Sequence, residues 1–186
     1  MAQAQQIEPF RISVPDAQIA DLRQRLVDTR WPDQIPGSGW DYGCDLSWLQ
    51  DLAAYWAGGF DWRAAEVRLN SRDQVVTTID GQRIHAIHQR SPEPGALPLL
   101  ISHGWPGSVV EFEKVIGPLT DPVAHGGDPA DAFHVIAPSL PGFTWSGPTT
   151  QPGWGVGRTA TAFAELAATL GYDRYGVQGG DWGSMI

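Results

Sequence analysis

Tyr175-Gly176-Val177-Gln178-Gly179-Gly180-Asp181-Trp182-Gly183-Ser184 is the stretch from which the rest of the chain can be read. The residues from Arg174 to Gln178 predict a short strand. The strand runs into a small-x-nucleophile-x-small frame, with Gly179 and Gly183 at the small positions. In that frame a strand turns sharply into a helix, and bulky side chains at the two small positions would clash. The slot between them, where many hydrolytic enzymes carry serine, holds Asp181. A serine hydroxyl needs a base before it attacks, whereas a carboxylate with a pKa of about 4 is already ionised at neutral pH. A carboxylate is a weak nucleophile toward amide and ester carbonyls. It suits displacement at a saturated carbon that bears a strained or good leaving group, and the product is an ester that water must then hydrolyse. Taken alone, the turn fits equally well a glycine-rich bend in which Asp181 caps the next helix.

Upstream, strands and helices alternate. Leu97 to Ser102 is a continuous apolar run, the pattern of a strand buried on both faces. Ser108 to Leu119 predicts a helix, Phe133 to Pro138 a second buried strand, and Arg158 to Leu170 an alanine-rich helix stopped by Gly171. This alternation predicts a mostly parallel sheet with right-handed crossovers and flanking helices. Gln74 to Ile79 and Arg83 to His88 flank Asp80-Gly81, a two-residue hairpin signal. His85 and His88 lie three apart on the second arm, so they face opposite sides and read as ordinary strand residues, not a shared metal site.

The first 72 residues read as helical. Phe10 to Val14 alternates like a short strand. A helix opens at Pro15-Asp16, carries Ile19, Leu22 and Leu26, and ends near Thr29 to Pro32. After a Gly/Pro-rich loop over 34–43, Asp45 is placed to cap a second helix with Leu49, Leu52, Ala53 and Trp56 on one face, ended by Gly58-Gly59. A third helix covers Asp61 to about Leu69. The expected division is a helical arm over 1–72 and a catalytic-type domain over 73–186.

Composition removes several classes. With 12 Lys+Arg against 21 Asp+Glu and a formal charge of −9, the surface repels phosphate backbones, which argues against nucleic acid as a partner. Cys44 is the one cysteine, so neither an internal disulfide nor a cysteine-based metal site is expected. No apolar run approaches the roughly 18 residues a membrane helix needs. Met1 to Gln6 lacks the basic and apolar regions of a signal peptide, so the expected placement is cytoplasmic, with no membrane anchor. The nine tryptophans serve as core filling or as the lining of an apolar pocket.

A second motif, His103-Gly104-Trp105-Pro106-Gly107-Ser108, follows the buried strand at 97–102 and precedes a helix. In α/β-hydrolases the loop at this place gives a backbone N–H to the oxyanion hole, beside the N–H after the nucleophile. Here these would be the N–H groups of Trp105 and Trp182. Trp105-Pro106 is a candidate cis peptide, and His103 is expected to be structural, not a general base.

The chain resembles the microsomal-type epoxide hydrolase family over essentially its whole length. The resemblance rests on Asp21-Leu22-Arg23-Gln24-Arg25-Leu26 with Thr29-Arg30-Trp31-Pro32, and on Pro138-Ser139-Leu140-Pro141-Gly142-Phe143 with Ser146. It rests above all on the Trp105 loop and on Gly179-Gly180-Asp181-Trp182-Gly183-Ser184. Thr144-Trp145 departs from the usual pattern. The resemblance implies an incomplete α/β-hydrolase fold behind an N-terminal helical arm. It also implies a two-step reaction without cofactor or metal. Asp181 opens a small apolar epoxide, two lid tyrosines donate to the alkoxide, and a His-activated water hydrolyses the ester while Trp105 and Trp182 hold the oxyanion. His103, Gly104, Pro106, Gly179, Gly180 and Gly183 support the two motifs. In this fold the acid and the histidine follow the nucleophile. Five residues follow Asp181 here, so base, acid and lid tyrosines are expected to be absent and the 186-residue chain to be an inactive fragment. Tyr42, Tyr55, Tyr172 and Tyr175 receive no donor role. The alternatives are a haloalkane dehalogenase-like hydrolase, which also uses Asp-Trp-Gly, and a scaffold without turnover.

Overall fold

The structure is a computed structural model that describes residues 6–186. It resolves into two compact units, one over Ile12–Arg68 and one formed by residues 6–11 with 69–186. The expected boundary at residue 72 differs from this division, because the segment before Ile12 belongs with the second unit.

That second unit is built on a six-stranded sheet. Its strands are β1 (Glu8–Pro9), β2 (Gln74–Ile79), β3 (Gln82–Gln89), β4 (Leu97–Ser102), β5 (Phe133–Pro138) and β6 (Gly176–Gly179). The order across the sheet is β1-β2-β3-β5-β4-β6. β5, β4 and β6 are parallel neighbours, as the strand–helix alternation requires, whereas β1 with β2, β2 with β3 and β3 with β5 are antiparallel. The sheet is therefore mixed, and its parallel part is confined to β5, β4 and β6, of which β4 and β6 carry the two motifs. The strand expected over 10–14 does not form. Pairing of β1 with β2 runs out at Phe10, whose N–H reaches Gln74, the first residue of β2.

Two helices cover the sheet. α4 (Glu113–Thr120) follows a 3₁₀ turn at Val109–Phe112, which Ser108 and Glu111 cap reciprocally. α5 spans Val156–Thr169 and buries Thr159, Ala162, Phe163, Leu166 and Ala167, a stripe at i, i+3, i+4, i+7 and i+8. The stripe packs with Ile84, Ala86, Leu100 and Ile136, while Ile116 of α4 packs with Ile87, Ile101, Val135 and Ala137. Alternate residues of the same strands thus face opposite helices.

The chain passes from β4 through α4 to β5 on one side, then through α5 to β6 on the other side of β4. Winding reverses at β4, which opens a crevice beyond the carboxyl ends of β4 and β6. Open α/β sheets bind ligands at such switch points.

The unit over Ile12–Arg68 contains α1 (Asp16–Val27), α2 (Leu46–Ala54) and α3 (Trp62–Leu69). Asp45 caps α2 by accepting the Trp48 N–H at 3.0 Å. The α-helical part ends at Ala54, and Tyr55–Gly59 widens into a π turn closed by Phe60 N–H on the Tyr55 carbonyl. A Cβ at Gly59 would sit 2.7 Å from the Tyr55 ring, so the bare glycine makes room for that turn. Glu66 of α3 accepts the Val14 N–H at 2.7 Å and pairs with Arg63, which also pairs with Asp16.

Candidate active site

β4 and β6 run in register, with Ser102 opposite Gly179. The chain leaves both strands at the same level, and this brings the Trp105 loop against Asp181. Asp181 stands at φ +52°, in the left-handed region, and opens a 3₁₀ turn over Asp181–Met185. Aspartate is one of the few residues that tolerates this conformation.

The turn is possible because its neighbours lack side chains. A Cβ on Gly179 would overlap the Gly183 carbonyl, and one on Gly183 would overlap the carbonyls of Ser102 and His103. A Cβ on Gly104 would lie 2.5 Å from the Asp181 side chain. Gly180 differs, since a Cβ there would meet nothing within 4 Å and its backbone is extended.

The Trp105 N–H donates to Asp181 Oδ1 at 2.9 Å. The N–H groups of Trp182 and Trp105 together hold the carboxyl below its ordinary range, against a smaller opposing effect of burial. The Trp105-Pro106 bond is cis, and so is Gly147-Pro148, which no local signal distinguishes from other X-Pro bonds.

His103 is buried, and both its ring nitrogens have partners. Nδ1 lies 3.0 Å from the Gly104 carbonyl oxygen, and Nε2 accepts the Leu140 N–H at 3.1 Å. Burial holds its pKa below the usual value.

Beside the carboxylate lies a groove of about 270 Å³ lined by Trp105, Leu140, Phe143, Trp154, Val156 and Trp182. Trp154 and Val156 were not singled out in the sequence. The available signal is an indole framed by Gly153 and Gly155 immediately ahead of a helix. Arg158 stacks on the Trp154 ring at 4.2 Å and pairs with Asp80 at 2.7 Å, which fixes this wall of the groove to the β2–β3 turn.

The loop after β5 rests on a buried network that a reading of His85 as an ordinary strand residue misses. His85 Nε2–H donates to Gln74 Oε1 and Nδ1 accepts from Ser139 Oγ, both at 2.9 Å. Ser146 Oγ accepts the His85 N–H and donates to the Ser139 carbonyl. His88 Nε2 lies 2.9 Å from the Tyr172 hydroxyl, and His134 Nδ1 accepts the Ser91 N–H. Among the described residues no helix is long and apolar enough to cross a membrane.

The family description for the epoxide hydrolase N terminus matches residues 7–112, more than half of the chain. The chain belongs to the epoxide hydrolase N-terminal family. The description of the α/β-hydrolase fold matches residues 98–186, which include both motif loops. A putative epoxide hydrolase of Stigmatella aurantiaca is 52% identical over 180 residues, covering 97% of this chain and 41% of the relative. Epoxide hydrolase 1 of Oryctolagus cuniculus is 39% identical, covering 97% and 40%. The crystal structure of juvenile hormone epoxide hydrolase from the silkworm Bombyx mori superposes with a TM-score of 0.87 at 35% identity, covering 99% of this chain and 49% of that one. The Aspergillus niger epoxide hydrolase gives 0.82 at 36%, covering 96% and 47%. The chain thus spans about two fifths of the length of these curated relatives.

Proposed function

We propose that this epoxide hydrolase family chain supplies the nucleophile and the oxyanion-binding donors for converting an epoxide and water into a vicinal diol. The observation that carries the proposal is an ionised carboxylate at the apex of the elbow, with the Trp105 N–H already on one of its oxygens.

In the first step a carboxylate oxygen of Asp181 attacks a ring carbon. The C–O bond of the ring breaks, and its electron pair goes to the ring oxygen as an alkoxide that takes up a proton. The product is a hydroxyalkyl ester of Asp181. In the second step water adds to the ester carbonyl carbon, and the carbonyl oxygen becomes an oxyanion. The Trp105 and Trp182 N–H groups supply fixed donors for that charge, so no reorganisation is needed when it develops. Collapse of the tetrahedral state releases the diol and restores the carboxylate.

The second step needs a base. Both ring nitrogens of His85 and His103, Nε2 of His88 and Nδ1 of His134 are engaged elsewhere, and the His125 ring lies beside Gly117 of α4. The 186-residue chain is therefore expected to stop at the ester. The indole-lined groove supports a small apolar epoxide, aromatic in its preferred form, as substrate. A role in detoxification or aromatic hydrocarbon catabolism follows from that class. A reducing, cytoplasmic setting suits the exposed free thiol of Cys44.

The test is mass spectrometry of the chain incubated with a small aryl epoxide. One adduct per chain is expected, on the peptide that contains Asp181, and none with Asp181→Asn. Absence of any adduct from the folded chain would leave a scaffold and sink the proposal.

A further inference from the structure

The peptide unit joining Gly104 to Trp105 is held at both ends. Its N–H donates to Asp181 Oδ1 at 2.9 Å. Its carbonyl oxygen lies 3.0 Å from His103 Nδ1 and accepts the Gly107 N–H at 2.9 Å. A trans peptide is planar, and its C=O and N–H point in opposite directions. Fixing the carbonyl therefore aims the N–H.

The Gly107 bond is internal to the loop and cannot by itself orient the unit against the rest of the fold. The His103 ring can, because its Nε2 accepts the Leu140 N–H at 3.1 Å. Leu140 follows β5 and belongs to the main apolar cluster. A carbonyl only accepts and an amide N–H only donates, so these two partners admit a single tautomer, with the proton on Nδ1. The ring is 1% exposed and lies edge-on to Phe143, with centroids 5.6 Å apart, so it has no freedom to turn. Burial also favours the neutral ring that this arrangement requires.

We propose that His103 is a positioning residue whose Nδ1–H, braced by Leu140 N–H on Nε2, holds the Gly104 carbonyl and so aims the Trp105 N–H at Asp181. The role rests on the reading of Asp181 as nucleophile. His103 touches neither substrate nor the reacting atoms. It acts through one peptide plane on the donor that serves first the carboxylate and later the oxyanion.

Two substitutions separate this role from plain packing. The amide nitrogen of asparagine can reach the place of Nδ1, and the amide of glutamine the place of Nε2. In the full chain, His103→Asn keeps a donor for the Gly104 carbonyl, whereas His103→Gln keeps a partner for Leu140 and leaves the carbonyl without its brace. A misplacement of about 1 Å in a reacting group can cost about 10²-fold in rate, and the Trp105 N–H fixes the attacking oxygen, so misaiming it through His103→Gln is expected to slow adduct formation about tenfold or more. His103→Gln should also raise the Asp181 pKa toward the ordinary carboxylate range, read from its side-chain carboxyl resonance. His103→Asn should stay near the parent in both readouts.

Equal behaviour of the two variants, with melting curves showing both folded, would overturn the proposal. If neither variant folds, the ring nitrogen resonances of the unsubstituted protein decide. A protonated Nδ1 is expected, and a protonated Nε2 would overturn the role. If the parent forms no adduct with the epoxide, the nucleophile reading fails, while the tautomer and the Asp181 pKa still judge His103.

Discussion

Position 183 leaves no room for a single methyl group, because Ser102 and His103 place their carbonyls where it would go. The same holds at 179 against the Gly183 carbonyl. Relief requires backbone movement, since no flexible side-chain end stands in the way. Overpacking of this kind costs about 1–3 kcal/mol. Gly183→Ala is therefore expected to lower the urea midpoint by a corresponding amount and to abolish adduct formation on Asp181. Gly180→Ala is the internal contrast. Its extended backbone suits alanine and the space is open. It should stabilise by about 0.5 kcal/mol through the unfolded state and leave the adduct unchanged. The small-x-nucleophile-x-small frame made the need at 179 and 183 legible, because that frame encodes a steric rule. Nothing local distinguished Gly180 as free. The tightness of Gly104 against Asp181 was equally hidden, because it arises where the loops after β4 and β6 meet, a contact whose Trp105–Asp181 hydrogen bond spans 76 residues.

Among the elements, β3 carries the largest latent pH response. Burial, with a smaller push from Arg83, holds His85 down to about 3, and burial with Arg90 and His134 holds His88 down to about 4. Both folded values lie below the unfolded value of about 6.5. The unfolded chain therefore binds more protons as pH falls below that point, and stability drops with pH until the folded values are reached. From pH 7.5 to pH 5 the loss is about 2 kcal/mol per histidine. Urea titrations at the two pH values should show it, and His88→Gln should remove its share of the difference. The bounds of β4 and β5 were readable because continuous apolar runs have only one place to go in a layered sheet. The polar network around His85 was not, because its partners Gln74, Ser139 and Ser146 come from three segments whose meeting depends on the finished topology. The π turn after α2 was also invisible, since Gly58-Gly59 signals an end to a helix but not the manner of ending.

Across the whole molecule, β6 is paired with β4 and with no other strand among the described residues. Val177 is 72% exposed there, beside a cavity of about 250 Å³ whose lining includes Leu100, Phe163, Tyr175 and Ile186. An apolar edge of this kind recruits further strands. The chain is expected to associate as its concentration rises, seen by light scattering, and Val177→Lys should suppress this by placing a charge on the edge. The parallel strands that form the edge also deliver Asp181 to the crevice at their carboxyl ends. The left-handed backbone at that residue has a consequence for descent. It acts as a filter on the nucleophiles that mutation can try at the site. Threonine, branched at Cβ, is disfavoured there by the turn itself, while serine and cysteine fit the position with less strain. A lineage holding this turn can exchange its reaction by changing one side chain, and the strand order that built the crevice is inherited intact.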